Sequence, residues 1–319
     1  MKKIITFLIC LIPWLSFASE PLMLVKPSRE IFINFPSAIL PDKAVSVFLP
    51  EPSIPLHQKY PVVYILGAVP TDAPQAQEVL ARSEQKALLV GLNVEEVDLS
   101  NPEKMVYFFQ RELIPYIDTN YLTKDEPQSR VVAVQGAAGA KVAVALLNKH
   151  LVQGAVILNG GNAVSFLTEQ KPDVRMLLAG KQAELAAWSN YLQEEKKLVY
   201  GAGFVAQLTE VKSVFDTLNL DYLFAPAGEV ELVKLSSTII PSSISISASE
   251  VATLQVSALL ANGMRFDFIP FTFKQSPPFL NWDSAQAKLT IIPGATAGKV
   301  KISAFVDNTP LTGVIRLKK

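Results

Sequence analysis

Arg130-Val131-Val132-Ala133-Val134-Gln135-Gly136-Ala137-Ala138-Gly139-Ala140 is the stretch on which the fold reading turns. After Arg130, Val131 to Val134 make an apolar, largely β-branched run of strand type. A turn of small residues follows, and 141–149 reads as a helix. A buried strand entering a helix through a tight turn is half of a strand–helix–strand unit. Working outward, strand-like apolar runs lie at 44–49, 60–66, 87–92, 154–159 and 174–179, with a last one at 221–224. Helical patterns separate them at 76–86, 102–121, 139–150, 182–195 and 205–218. Near-continuous apolar strands alternating with helices predict an α/β fold: a doubly wound, mostly parallel sheet covered on both faces.

From residue 232 the texture changes. Short alternating runs at 243–247, 252–260, 266–273, 288–292, 299–305 and 313–318 are bounded by turn residues, and Asn262-Gly263 is a tight-turn signal. The spacing predicts a C-terminal all-β sandwich. Pro226-Ala227-Gly228-Glu229 and the residues to 232 form the joint. The expected plan is therefore a leader at 1–18, an α/β domain at 30–226 and a sandwich at 232–319.

The leader reads as a signal peptide. Lys2 and Lys3 supply the positive end, 4–14 the apolar segment, and Ser16-Phe17-Ala18 the small-x-small cleavage site. That apolar segment is too short for a bilayer core, which needs about 20 residues. No later segment is long and apolar enough to span, so a periplasmic or secreted protein is expected. Cleavage after Ala18 removes Cys10, the single cysteine, and with it any disulfide or thiolate ligand. The 29 basic residues less the two in the leader leave 27 against 29 acidic ones. Such a balance gives no electrostatic footprint for nucleic acid.

The α/β region resembles the bacterial esterases that include the enterochelin-esterase-like and esterase-D-like α/β-hydrolases. The likeness rests on ordered pieces between about 40 and 226. Val45-Ser46-Val47-Phe48-Leu49-Pro50 and Tyr60-Pro61-Val62-Val63-Tyr64-Ile65-Leu66-Gly67 are similar to the family's opening strands. Val90-Gly91-Leu92 is similar to its next strand, and Glu112-Leu113-Ile114-Pro115-Tyr116-Ile117-Asp118-Thr119-Asn120-Tyr121 to its helix-and-exit block. The run from Gly294 to Asp307 is similar to the closing hairpin of bacterial Ig-like domains.

In the esterase family the strand–turn–helix carries G-x-S-x-G, with the serine on a strained turn. The resemblance places that turn at Gly136, Ala137, Ala138 and Gly139. Aligned from Arg130, Gly136 takes the serine position; aligned on Gly139, Ala137 takes it. Neither side chain can attack a carbonyl. The triad acid belongs after the strand at 174–179, where Glu184 is a vestigial candidate or simply a helix-start glutamate. The base belongs after the last strand, where this chain has Gly228 and Glu229. Its two histidines, His57 and His150, precede every such position. Asp72 and Thr71 occupy the loop that forms part of the family's oxyanion hole, and are expected to cap the following helix. Ser165 and Ser189 have no evident base. Scattered histidines and no mature cysteine predict no metal site, and Gly160-Gly161 and Gly201-Ala202-Gly203 lack the spacing of a phosphate loop. No cofactor is implied.

Three readings follow. The chain is an exported, non-catalytic relative of esterases that binds a protein or small ligand of the envelope. Alternatively it is an esterase with an unrecognised nucleophile. In the third, the sandwich carries adhesion or assembly and the larger domain is a spacer.

Overall fold

A computed structural model of the chain describes residues 31–40, 43–50, 58–161, 167, 174–196, 198–208, 213–247, 250–273, 277–283, 288–306 and 309–319. The expected leader with Cys10, and also His57 and Ser165, lie outside the described residues.

The first region contains β1 (Ile31–Phe35), β2 (Lys43–Phe48), β3 (Val62–Leu66), α1 (Ala73–Arg82), β4 (Leu88–Leu92), α2 (Glu96–Leu99) and α3 (Pro102–Phe108). It continues with α4 (Ile114–Asn120), β5 (Arg130–Gln135), α5 (Gly136–Asn148), β6 (Gly154–Leu158), β7 (Arg175–Gly180) and α6 (Gln182–Glu194). It closes with β8 (Phe204–Leu208), α7 (Val214–Thr217) and α8 (Leu220–Leu223). Among the described residues the strands form one eight-stranded sheet, ordered β1-β2-β4-β3-β5-β6-β7-β8. β2 runs antiparallel to both neighbours, and β4, β3, β5, β6, β7 and β8 are parallel. Every residue of β3, β4 and β6 is buried, which is why these strands read as unbroken apolar runs.

The sequence reading of the first region needs correcting at several points. β1 was not foreseen. The helix expected over 205–218 is instead β8 followed by the short α7. Phe204–Leu208 pair in parallel with Met176–Gly180 of β7, so the start of the expected helix is taken into the sheet. The strand expected at 221–224 is α8, because Asn219 caps it: the Asn219 side chain accepts the Tyr222 N–H at 2.9 Å. A four-residue apolar run carries too little periodicity to separate the two outcomes. Finally, the helix over 102–121 is interrupted by a π turn at Phe109–Leu113. Pro115 has no N–H and its ring crowds the carbonyl four residues back, so the ladder widens there.

The second region is all-β: β9 (Leu232–Ile240), β10 (Ser243–Ser245), β11 (Val251–Leu260), β12 (Arg265–Asp267), β13 (Leu280–Asp283), β14 (Lys288–Ile291), β15 (Gly298–Val306) and β16 (Thr309–Lys318). Among the described residues, β10, β16 and β15 form one sheet in that order; β12, β11, β14, β13 and β9 form another. Asn262-Gly263 makes the expected turn between β11 and β12, with Gly263 at φ +84°.

The two regions share a packed boundary. The Leu208 N–H on the edge strand β8 donates to the Phe268 carbonyl at 2.6 Å. The rings of Tyr222 and Phe266 meet edge to face at 5.4 Å. Beside this boundary, within the first region, half-buried Arg175 of β7 donates through Nη1 to the carbonyls of Tyr222 (2.9 Å) and Ala225 (2.6 Å) at the end of α8. The all-β region thus covers the β8 edge, which would otherwise present unpaired backbone groups.

Candidate functional site

The turn singled out in the sequence lies at the carboxyl end of β5, near the middle of the sheet. Gln135 is still extended (φ −124°, ψ 144°), and Gly136 opens α5 with φ +78°. A positive φ is costly for any residue with a Cβ, so one position in this junction takes the strained conformation. That position is Gly136. A Cβ built on Gly136 meets no heavy atom within 4 Å. Ala137 is exposed, Gly136 and Ala138 are half-buried, and Gly139 is buried.

The exit of β6 walls one side. Asn159 (φ 51°) and Gly161 (φ +62°) fold the chain back over the start of α5, and a Cβ on Gly161 would lie 3.3 Å from that of Ala137. Gly160 is pinned more tightly: a Cβ there would stand 2.5 Å from Trp188 Cη2, 2.6 Å from Ile157 Cγ2 and 2.9 Å from the Ala140 Cβ. Trp188 is buried on α6, and its Nε1 has no hydrogen-bond partner among the described residues. Glu184, in the first turn of α6, accepts the Gly161 N–H at 2.5 Å. The structure therefore brings Glu184 to the loop beside the turn, where its carboxylate is bonded to backbone.

The loop after β3 supplies the opposite wall. Gly67 N–H donates to the Leu92 carbonyl at 2.9 Å. Val69 N–H donates to the Asp72 carboxylate at 2.8 Å. Asp72 stands at the start of α1 as expected, but its carboxylate bonds back to Val69 and makes no cap bond to the helix.

His150 is remote. It occupies the left-handed position (φ 55°) just past α5, where His150 N–H bonds Leu147 O (3.0 Å) and Leu151 N–H bonds Leu146 O (3.1 Å). Those two bonds are a Schellman ending, a structural role. Fourteen residues at about 1.5 Å each put it roughly 21 Å from Gly136. Gly228 and Glu229 sit exposed in a 3-10 turn (Ala227–Val230), and the Glu229 carbonyl accepts the Asn262 N–H at 2.8 Å. They belong to the boundary with the all-β region and do not follow the sheet's last strand. The exit of β8 runs Thr209-Glu210-Val211-Lys212-Ser213 and contains no histidine. Ser189 is buried on α6. Among the described residues, no three His, Cys, Asp or Glu side chains stand close enough to share a metal ion. No helix among them is long and apolar enough to cross a membrane.

The block from Glu112 to Tyr121 acts far from this turn. Glu112 accepts from the Ser37 hydroxyl and from Ala38 N–H, tying the π turn to the chain after β1. Asp118 accepts from Arg130 Nη2 at 2.6 Å and from the Thr123 hydroxyl at 2.7 Å. That ion pair is largely buried at the start of β5, about 20 Å of strand away from Gly136. The buried Tyr64 phenol is raised well above its ordinary pKa, first by burial and then by Asp118, with Arg130 opposing.

No family model matches the chain, and no curated protein matches it. Several solved structures are similar to its first region. An IroE-like serine hydrolase from Shewanella oneidensis is 16% identical, with TM-score 0.44, over 62% of this chain and 79% of its own. The fluorophosphonate-binding serine hydrolase FphF from Staphylococcus aureus is 12% identical, with TM-score 0.46, over 63% and 100%. A feruloyl esterase module from Clostridium thermocellum is 13% identical, with TM-score 0.45, over 63% and 88%.

Proposed function

We propose that this chain is an esterase-like α/β protein that holds a ligand or partner at the β5–α5 turn without cleaving it. The observation that carries the reading is Gly136: the residue in the strained apex position has no side chain. Two further features support it. The His150 imidazole lies roughly 21 Å from the apex along α5. The Val69 N–H, in the loop that would help stabilise an oxyanion, is already bonded to the Asp72 carboxylate. Gly136, Ala137, Ala138 and Gly161 leave a small-walled floor above the turn. Export directed by residues 1–18, a periplasmic or secreted location, an envelope protein or small molecule as partner, and an Ig-like topology for 232–319 belong to the same proposal.

A second reading keeps esterase or acyl-transfer activity with a nucleophile outside the turn. The observation that favours it is Glu184, a carboxylate beside the turn where a triad acid is expected. Fluorophosphonate labelling of the purified chain separates the two. The first reading expects no covalent adduct and no turnover of p-nitrophenyl esters. Capture of a single serine, with turnover abolished by replacing that serine with alanine, establishes the second.

A further inference from the structure

The sheet β10-β16-β15 alternates strictly. Val300, Ile302, Ala304, Ile315 and Leu317 are buried, and the residues between them face outward. The outward set includes Lys299 and Lys301 on β15 and Arg316 and Lys318 on β16, all exposed. Lys299 stands directly opposite Arg316, and Lys301 opposite Val314, which is 54% exposed. Like charges in direct cross-strand register destabilise a sheet. Among the described residues none of the four cations has an ion-pair partner. Glu250, the acid bonded to this sheet, accepts the Ser245 N–H at 2.7 Å. Lysines on an edge strand such as β15 can be explained as protection against edge pairing. Arg316 and Lys318 cannot, because β16 is the central strand.

We propose that this face docks on an anionic phospholipid surface. The chain as a whole is balanced, with 29 basic and 29 acidic residues, so a four-cation face is a local segregation of charge. Its chemistry selects the partner. The face carries an exposed valine among the cations, and the four cations stand on two adjacent strands. No aromatic ring stands between them on which a base or sugar would stack. A planar array of headgroup charge meets all four at once. The inference is independent of the reading of Gly136.

Each Lys or Arg near an anionic bilayer contributes about 1 kcal/mol. Losing one therefore weakens binding about fivefold, and losing all four nearly a thousandfold. The test is co-sedimentation of the full chain with vesicles of phosphatidylcholine alone or mixed with phosphatidylglycerol. The expected result is binding to the mixed vesicles only, lost near 1 M salt, where the screening length is about 3 Å. The combined variant Lys299→Gln, Lys301→Gln, Arg316→Gln, Lys318→Gln loses the binding, each single variant loses about fivefold, and Lys124→Gln with Lys234→Gln changes nothing. All replaced residues are exposed, so unchanged thermal unfolding is the check on folding. Equal binding to both vesicle types, or binding indifferent to the four replacements, overturns the proposal. So does equally tight, equally cation-dependent binding to heparin, which marks a general polyanion surface.

Discussion

Serine introduced at Gly136 is expected to fold, to stand in open space and to cleave nothing. The perturbation is conformational rather than steric, because a Cβ at Gly136 meets no heavy atom within 4 Å. At φ +78° a residue bearing a Cβ costs about 1–2 kcal/mol relative to glycine. In a chain of this size class that lowers the unfolding midpoint by about 2–4 °C per kcal/mol. Gly136→Ala carries the same backbone cost without the hydroxyl and is the control. The chemistry depends on a base that can take the Oγ proton. Removing the base alone from a serine triad costs about 10⁶-fold in kcat, nearly as much as removing the whole triad. Gly136→Ser should therefore hydrolyse p-nitrophenyl acetate no faster than Gly136→Ala, and should resist fluorophosphonate. Thermal unfolding by circular dichroism and steady-state release of nitrophenolate measure the two halves. Turnover by the serine variant clearly above the alanine control refutes the reasoning, because some group within reach of residue 136 must then act as base.

Gly160→Ala drives a methyl into Trp188, Ile157 and Ala140 at 2.5–2.9 Å. Overpacking of this kind costs about 1–3 kcal/mol, seen as a lower midpoint in thermal or urea unfolding with a shift in tryptophan emission. Arg130→Met strands the Asp118 carboxylate at a largely buried site and should cost about 3–5 kcal/mol, whereas Arg130→Met with Asp118→Leu should recover much of that loss in the same unfolding assay. At Asp98 burial favours the neutral acid, but the hydrogen bonds from Lys43 and Glu95 N–H and the charges of Lys43 and Lys104 outweigh it and hold the pKa below 3.8. A depressed folded-state pKa gives stability that is present above the ordinary carboxylate value and lost as pH falls through the folded one. The unfolding midpoints of the parent and Asp98→Asn should thus differ at neutral pH and converge in acid.

Much of the sheet was legible because burial on both faces forces unbroken apolar strands. Tyr64-Ile65-Leu66 and Val156-Ile157-Leu158 could hardly be anything else. The failures share one physical cause: short segments whose structure is set by partners distant in sequence. Asp221-Tyr222-Leu223-Phe224 reads as a strand in isolation, but the Asn219 cap and the Arg175 guanidinium on its carbonyls make it a helix end. β8 was hidden because only three of its five residues are buried, and its free edge is covered from the all-β region through Phe268. At the turn, a run of small residues was legible at 136–139, but which of them takes the strained conformation needed the backbone angle of Gly136. The bond from Val69 N–H to Asp72 could not be read, since Asp72 looked like an ordinary helix cap. Nor could the Glu184–Gly161 contact, which depends on the fold-back after β6.

The displaced last strand alters where a base should stand. With β8 ending at Leu208, a triad histidine belongs in 209–213, not near Gly228 and Glu229. The proposed reading does not depend on that position, because no histidine follows residue 150 in the chain. Asp72 adds an independent argument of electrostatic kind. An oxyanion forming near the Val69 N–H would have to displace a carboxylate already accepting at 2.8 Å, or sit beside it. Two unit charges about 4 Å apart repel by roughly 1 kcal/mol in water and about 4 kcal/mol at the effective dielectric of a protein surface. An active oxyanion hole instead contributes about 3–4 kcal/mol per donor in the opposite direction. On the proposed reading, a loop that answers a developing negative charge with a fixed one is a further reason to expect no acyl transfer by the Gly136→Ser variant. The same loop is no obstacle to a neutral or cationic group resting on the small-residue floor of the turn, and ligands of that charge are the ones to screen first.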